Sequence, residues 1–122
     1  MKTNKLLIPI ALILVVAVLV VSGCVQQQGE ANNTVSGDIS PKTVTIKNFA
    51  FDPAGLSIKT GTIVNWVNED SAPHTATLTG IFDSGILNTG QSFSYTFNIP
   101  GTYDYICTLH PSMRARVIVE PA

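Results

Sequence analysis

The chain has 122 residues, of which 45% are hydrophobic and 12% charged, with a formal net charge of -1. That length allows one domain and not two. The mild charge, with no basic stripe, argues against nucleic acid as a partner.

Residues 1–23 open with the basic pair Lys2 and Lys5, followed by an apolar run at 6–21 broken only by Pro9. The run is long for a signal-peptide core and short for a membrane span. Ser22 and Gly23 stand directly before Cys24, which resembles a lipoprotein signal with Cys24 as the lipid-bearing residue. The alternative is an uncleaved helical anchor. Both readings predict an exported domain tethered to the outer face of the cytoplasmic membrane.

Residues 24–40 are nearly free of large apolar side chains and read as a flexible tether. Asn32 lies in a glycosylation sequon in form. Without residues 1–23, five basic and eight acidic side chains remain, a formal charge of -3. If Cys24 carries lipid, Cys107 has no partner of its own. The alternative, a disulfide between the two, would pin a tether to a loop for no gain.

From 41 to 122 the pattern has period two. "TVTIKNF" alternates with Val44 and Ile46 on one face, and "TIVNWVN" is an apolar strand after Gly61. "HTATL" is a short strand opened by His74. "SFSYTFN" sets Phe93, Tyr95 and Phe97 on one side, and "IPGTYDYIC" turns at Pro100 and Gly101 into Tyr103, Tyr105 and Cys107. "RARVIVE" closes the series. No window has helical spacing, so the domain is expected to be all-β, an antiparallel sandwich or barrel. Trp66 and the five phenylalanines are its expected core.

Metal-binding side chains collect in "CTLHPSM". Cys107, His110 and Met113 follow at C-x-x-H-x-x-M spacing, and His74 opens another strand. Taken singly, each is more often a packing or surface residue. Together, at strand ends in an exported β-domain, they predict a metal site if His74 shares the pole of Cys107. Thiolate and thioether suit Cu(I), and imidazole suits Cu(II). Two histidines, a thiolate and a weak axial methionine are the donors of a blue-copper centre. Zinc is expected to shun the thioether, and haem attachment or a dinuclear copper centre would need a second nearby cysteine.

The stretches "VTIKNFAFDPAGLSIKTGTIVNWVNEDSAPHTATL" and "GTYDYICTLHPSMRARVIV" resemble the cupredoxins, most of all the short-loop plastocyanins and amicyanins. The resemblance covers 41–120. It implies a Greek-key β-sandwich, one type 1 copper ion held by His74, Cys107, His110 and Met113, and single-electron transfer between transient redox partners. Thr75 departs from the pattern, since these proteins often have asparagine there to tie the two ligand loops together.

A membrane-tethered, monomeric electron shuttle is therefore expected, with His110 as the electron exit and Pro73, Leu109 and Pro111, beside Ala72, as a small apolar docking surface. Protein donors would fill the copper's coordination positions, which argues against an enzyme. An extracytoplasmic copper-delivery protein is the alternative, although such sites are usually richer in Met and His. A metal-free immunoglobulin-type interaction domain and a copper enzyme such as a nitrite reductase are further alternatives. The last would need additional histidines.

Overall fold

The computed structural model describes residues 37–122. The expected signal or anchor at 1–23, the lipid site at Cys24 and the sequon at Asn32 lie outside the described residues. Nine strands follow one another: β1 Lys42–Lys47, β2 Ala50–Asp52, β3 Gly55–Lys59, β4 Thr62–Asn68, β5 Thr77–Leu78, β6 Phe82–Asp83, β7 Ser92–Phe97, β8 Gly101–Ile106 and β9 Arg114–Glu120. The described residues contain no helix.

Alternation decides which side chains meet. In β9, Ala115, Val117 and Val119 point inward while Arg114, Arg116, Ile118 and Glu120 face solvent. In β4, Thr62, Val64, Trp66 and Asn68 share the buried face. The strands form two sheets, β2-β1-β4-β7 and β3-β9-β8-β5-β6, packed as a Greek-key sandwich. Both sheets are mixed, which refines the expected antiparallel arrangement: β1 pairs parallel with β4, and β3 with β9. The reason is the crossing. After β2 the chain leaves for the second sheet as β3 and returns as β4, so no hairpin dictates the direction in which β4 meets β1.

The sheets meet on aromatic rings. Trp66 is fully buried, 5.2 Å from Phe82 and 5.5 Å from Tyr105 between ring centroids. Tyr105 also meets Phe51 edge-on at 4.8 Å. Burial pushes the Tyr105 phenol up to about 12. Phe51, Phe82 and Phe97 are buried, and Phe93 packs partly buried against the core.

Phe49 corrects the expectation that all five phenylalanines are core residues, because it is 53% exposed. Strand β1 stops at Lys47, which pairs with Ala50, so Asn48 and Phe49 are the two-residue loop of a hairpin. Their φ angles of 53° and 56° are those of a type I′ turn. Asparagine adopts this conformation readily, whereas for a bulky side chain the left-handed region costs about 1–2 kcal/mol.

Trp66→Ala should cost about 3–5 kcal/mol, because neighbouring rings from both sheets cannot close over the space. Urea unfolding checks this: the midpoint falls with the slope unchanged.

Candidate metal centre

Two loops at one pole carry the candidate donors. The first joins β8 to β9. Cys107 lies just past β8, and its N–H donates to the carbonyl of Met113 just before β9 (3.1 Å). Inside this closure His110 N–H donates to Cys107 O (3.3 Å) and Met113 N–H to His110 O (2.8 Å). Each candidate donor in the loop is thus tied by its backbone to another.

The second loop runs from β4 to His74 and is wound around Asn68. This fully buried side chain donates to the carbonyls of Ala72 (2.9 Å) and Leu87 (2.7 Å) and accepts the Asp70 N–H (2.8 Å). His74 and Leu87 exchange both backbone hydrogen bonds, at 3.1 and 2.7 Å. His74 is therefore fixed before its side chain is considered, and it is fully buried.

The two loops converge. Nδ1 of His74 and Nδ1 of His110 each stand 3.7 Å from Cys107 Sγ. The three donor atoms lie within 4.8 Å of one another. A metal ion bonded to sulfur at about 2.3 Å and to nitrogen at about 2.0 Å, with an angle of about 120° between them, sees the pair about 3.7 Å apart. Both sulfur–nitrogen spacings fit an ion bonded to Cys107 and to each imidazole. Cys107 is buried and forms no disulfide among the described residues. Met113 is also buried, at the far end of the same loop.

Asp70 sets the tautomer of His74. Its Oδ2 lies 2.9 Å from His74 Nε2. An ionised carboxylate can only accept, so the ring proton sits on Nε2 and the Nδ1 lone pair faces the sulfur. The Phe49 N–H donates to the same oxygen at 2.9 Å. That amide first, and the His74 imidazole second, holds the Asp70 carboxyl below the usual carboxylate range. Asp70 was not legible as a site residue. It stands in the polar run Asn68-Glu69-Asp70-Ser71, where acidic side chains are ordinarily solvated.

Thr75, which departs from the asparagine expected there, links the two donor loops. Its backbone N–H donates to Cys107 Sγ (3.3 Å) and so orients the sulfur. Its hydroxyl oxygen accepts from Thr108 N–H (2.8 Å) and lies 3.0 Å from the Thr77 hydroxyl. Thr77 gives its single proton to the Asp83 carboxylate (3.0 Å), so the Thr75 proton goes to Thr77 and the Thr108 hydroxyl, 3.0 Å away, donates to Thr75. The two donor loops are thereby stitched together beneath the sulfur.

Around His110, which is half-buried, the surface is apolar. Leu109 is 43% exposed, and Pro73 and Pro111 are exposed. Phe49 joins them, with its ring 4.9 Å from that of His110.

A thiol and two inward imidazole nitrogens at one pole of a Greek-key sandwich are a donor set that suits a single copper ion. The family model described as Cupredoxin-like domain matches residues 11–119. The chain belongs to the cupredoxin family. It is 39% identical to amicyanin-alpha of Methylorubrum extorquens, over 63% of this chain and 70% of that protein. It is 36% identical to amicyanin of Paracoccus denitrificans, over 63% of each chain, so this alignment spans less than two thirds of the relative. Plastocyanin of Scenedesmus fuscus is 35% identical over 57% of this chain and 86% of its own. Among solved structures, a reduced amicyanin variant superposes with a TM-score of 0.61 at 34% identity, over 65% of this chain and 81% of that one. A copper-containing nitrite reductase from Thermus scotoductus reaches 0.63 at 32% identity, over 67% of this chain but 23% of the enzyme. One type 1 copper ion is the cofactor of this family, and the His74, Cys107 and His110 donors fit it.

Thr75→Val should destabilise the metal-free protein by about 1–3 kcal/mol, because Thr108 N–H loses its acceptor. Thr75→Ser, which keeps the oxygen, should restore most of that loss. Denaturant unfolding of the two variants beside the parent checks this.

Proposed function

We propose that this chain is a small blue-copper electron carrier, with His74, Cys107, His110 and Met113 as the copper ligands. The observation that carries the reading is the convergence of two imidazole nitrogens on one buried cysteine sulfur, each at 3.7 Å. Bound copper supplies a one-electron couple between Cu(I) and Cu(II) at this point. The protein's contribution is to hold the donors still. The backbone bonds within 107–113, the Asn68-wound loop and the Thr75 stitch resist movement when charge at the site changes. A site that does not rearrange keeps the barrier to transfer low.

His74 is sealed inside and His110 reaches the surface, so His110 is the electron exit. The docking surface consists of Pro73, Leu109 and Pro111, to which Phe49 is added. An apolar patch of this kind supports small, short-lived complexes with a redox donor and acceptor, which bind with weak salt dependence. We read the chain as a carrier and not an enzyme, in keeping with its likeness to amicyanins and plastocyanin. We read the segment 1–23, with Cys24, as tethering the domain to the outer face of the cytoplasmic membrane, and the chain as a monomer.

The Cu(II) form of the full chain should show the intense visible absorption of a copper–thiolate bond. Cys107→Ser should lose that band, while the unfolding midpoint of the metal-free protein stays near the parent value. An intense band surviving in the variant, or absent from the parent, would contradict the reading.

Leu109→Asp should leave the visible spectrum unchanged. It should slow electron self-exchange between the Cu(I) and Cu(II) forms at least tenfold, equivalent to about 1.4 kcal/mol, because two like charges then face each other across the apolar surface. Resonance line broadening in mixtures of the two forms measures this rate. Unchanged exchange would remove Leu109 from the docking surface.

A further inference from the structure

Phe49 is placed where a phenylalanine is costly and has little to gain from burial. It fills the second position of the β1–β2 turn, at a φ of 56° that favours glycine. About half of its surface remains in solvent. What its ring contacts is the pair of candidate copper ligands. It meets His74 edge-on at 5.2 Å with an interplanar angle of 85°, and His110 at 4.9 Å with 89°. The two imidazoles stand 4.9 Å from each other, so the three rings form a closed triangle. Perpendicular contact is the arrangement that aromatic quadrupoles favour.

The backbone is engaged as well. The Phe49 N–H and His74 Nε2–H donate to the same oxygen, Asp70 Oδ2. The strained turn is therefore anchored to the element that orients His74. His74 has further supports in its bridge to Leu87 and its full burial. His110 has fewer. It is half-buried, and among the described residues its ring makes no polar contact except with Cys107 Sγ. The Phe49 ring stands edge-on against it at 4.9 Å.

We propose that Phe49 is a positioning residue for the metal site, an aromatic clamp that holds both imidazoles, and His110 above all, with Nδ1 turned toward Cys107. The clamp rests on the copper reading above, but it acts on the imidazoles whether or not metal is bound. It explains why the turn carries phenylalanine in place of glycine.

Phe49→Gly separates the clamp from a merely structural role, because glycine relieves the turn while removing the ring. The full chain is compared as the parent, Phe49→Gly and Phe49→Tyr. In the metal-free proteins, nuclear Overhauser contacts between the His110 ring and the Cys107 methylene should be present in the parent and Phe49→Tyr, and lost or strongly weakened in Phe49→Gly. The unfolding midpoint of Phe49→Gly should equal or exceed the parent's. In Cu(II)-loaded protein challenged with excess EDTA, Phe49→Gly should lose its visible band at least tenfold faster than the parent, and Phe49→Tyr within about twofold of it.

Unchanged His110–Cys107 contacts and parental copper release in Phe49→Gly would overturn the proposal. So would faster release that follows only from a lowered unfolding midpoint. A parent chain with no copper–thiolate band would defeat the copper reading instead, and the metal-free comparison would still decide the clamp.

Discussion

The hydrogen bond from Cys107 N–H to the Met113 carbonyl is the constraint on which the site depends. It closes the loop 107–113 between two strands that are themselves paired along their length, from Ile106 with Arg114 to Gly101 with Val119. A loop this short, shut at both ends and tied internally through His110, has few conformations left. The entropy of arranging the donors is lost when the sandwich folds, not when metal arrives. The same closure limits how far Cys107 and His110 can separate when the charge at the site changes.

The other half of the site reaches the same pole by different means. His74 lies outside the β8–β9 loop, and its position is set by Asn68, Asp70 and Leu87. Thr75 then joins the halves through three hydroxyl bonds and one bond from its amide to the sulfur. The side chains of Asn68, Asp70, His74 and Thr75 all have hydrogen-bond partners, so this network carries no penalty of an unpaired group. Phe49 and Asp70 extend this scaffold to the β1–β2 turn. On the readings proposed above, the surface beside His110 combines two roles, support for the imidazoles and a face for partners.

Much of this is legible in the sequence alone. Period-two alternation located the main strands, because one face of each had to be buried: Val117 and Val119 in β9, Trp66 in β4. The C-x-x-H-x-x-M spacing marked one pole, since scarce soft donors seldom gather in a short loop by chance. Other features escaped for physical reasons. Alternation does not report strand direction, so the parallel pairs β1–β4 and β3–β9 were not visible. Phe49 continued the pattern of β1 and read as core. Only the left-handed turn at Asn48 reverses the chain and brings the ring over the imidazoles. Asn68 and Asp70 looked like an ordinary polar loop, because a buried hydrogen-bonding role depends on partners far away in sequence, such as Leu87 and Phe49.

The account turns on a ligand set that is built by the fold and persists in both oxidation states. X-ray absorption at the copper edge, on the full chain loaded with one copper and measured oxidised and reduced at neutral pH, addresses this directly. The account predicts one short sulfur and two imidazole nitrogens around copper in each state, with little change in distance between them. A coordination sphere of nitrogen and oxygen alone, or one that exchanges ligands on reduction, would contradict it.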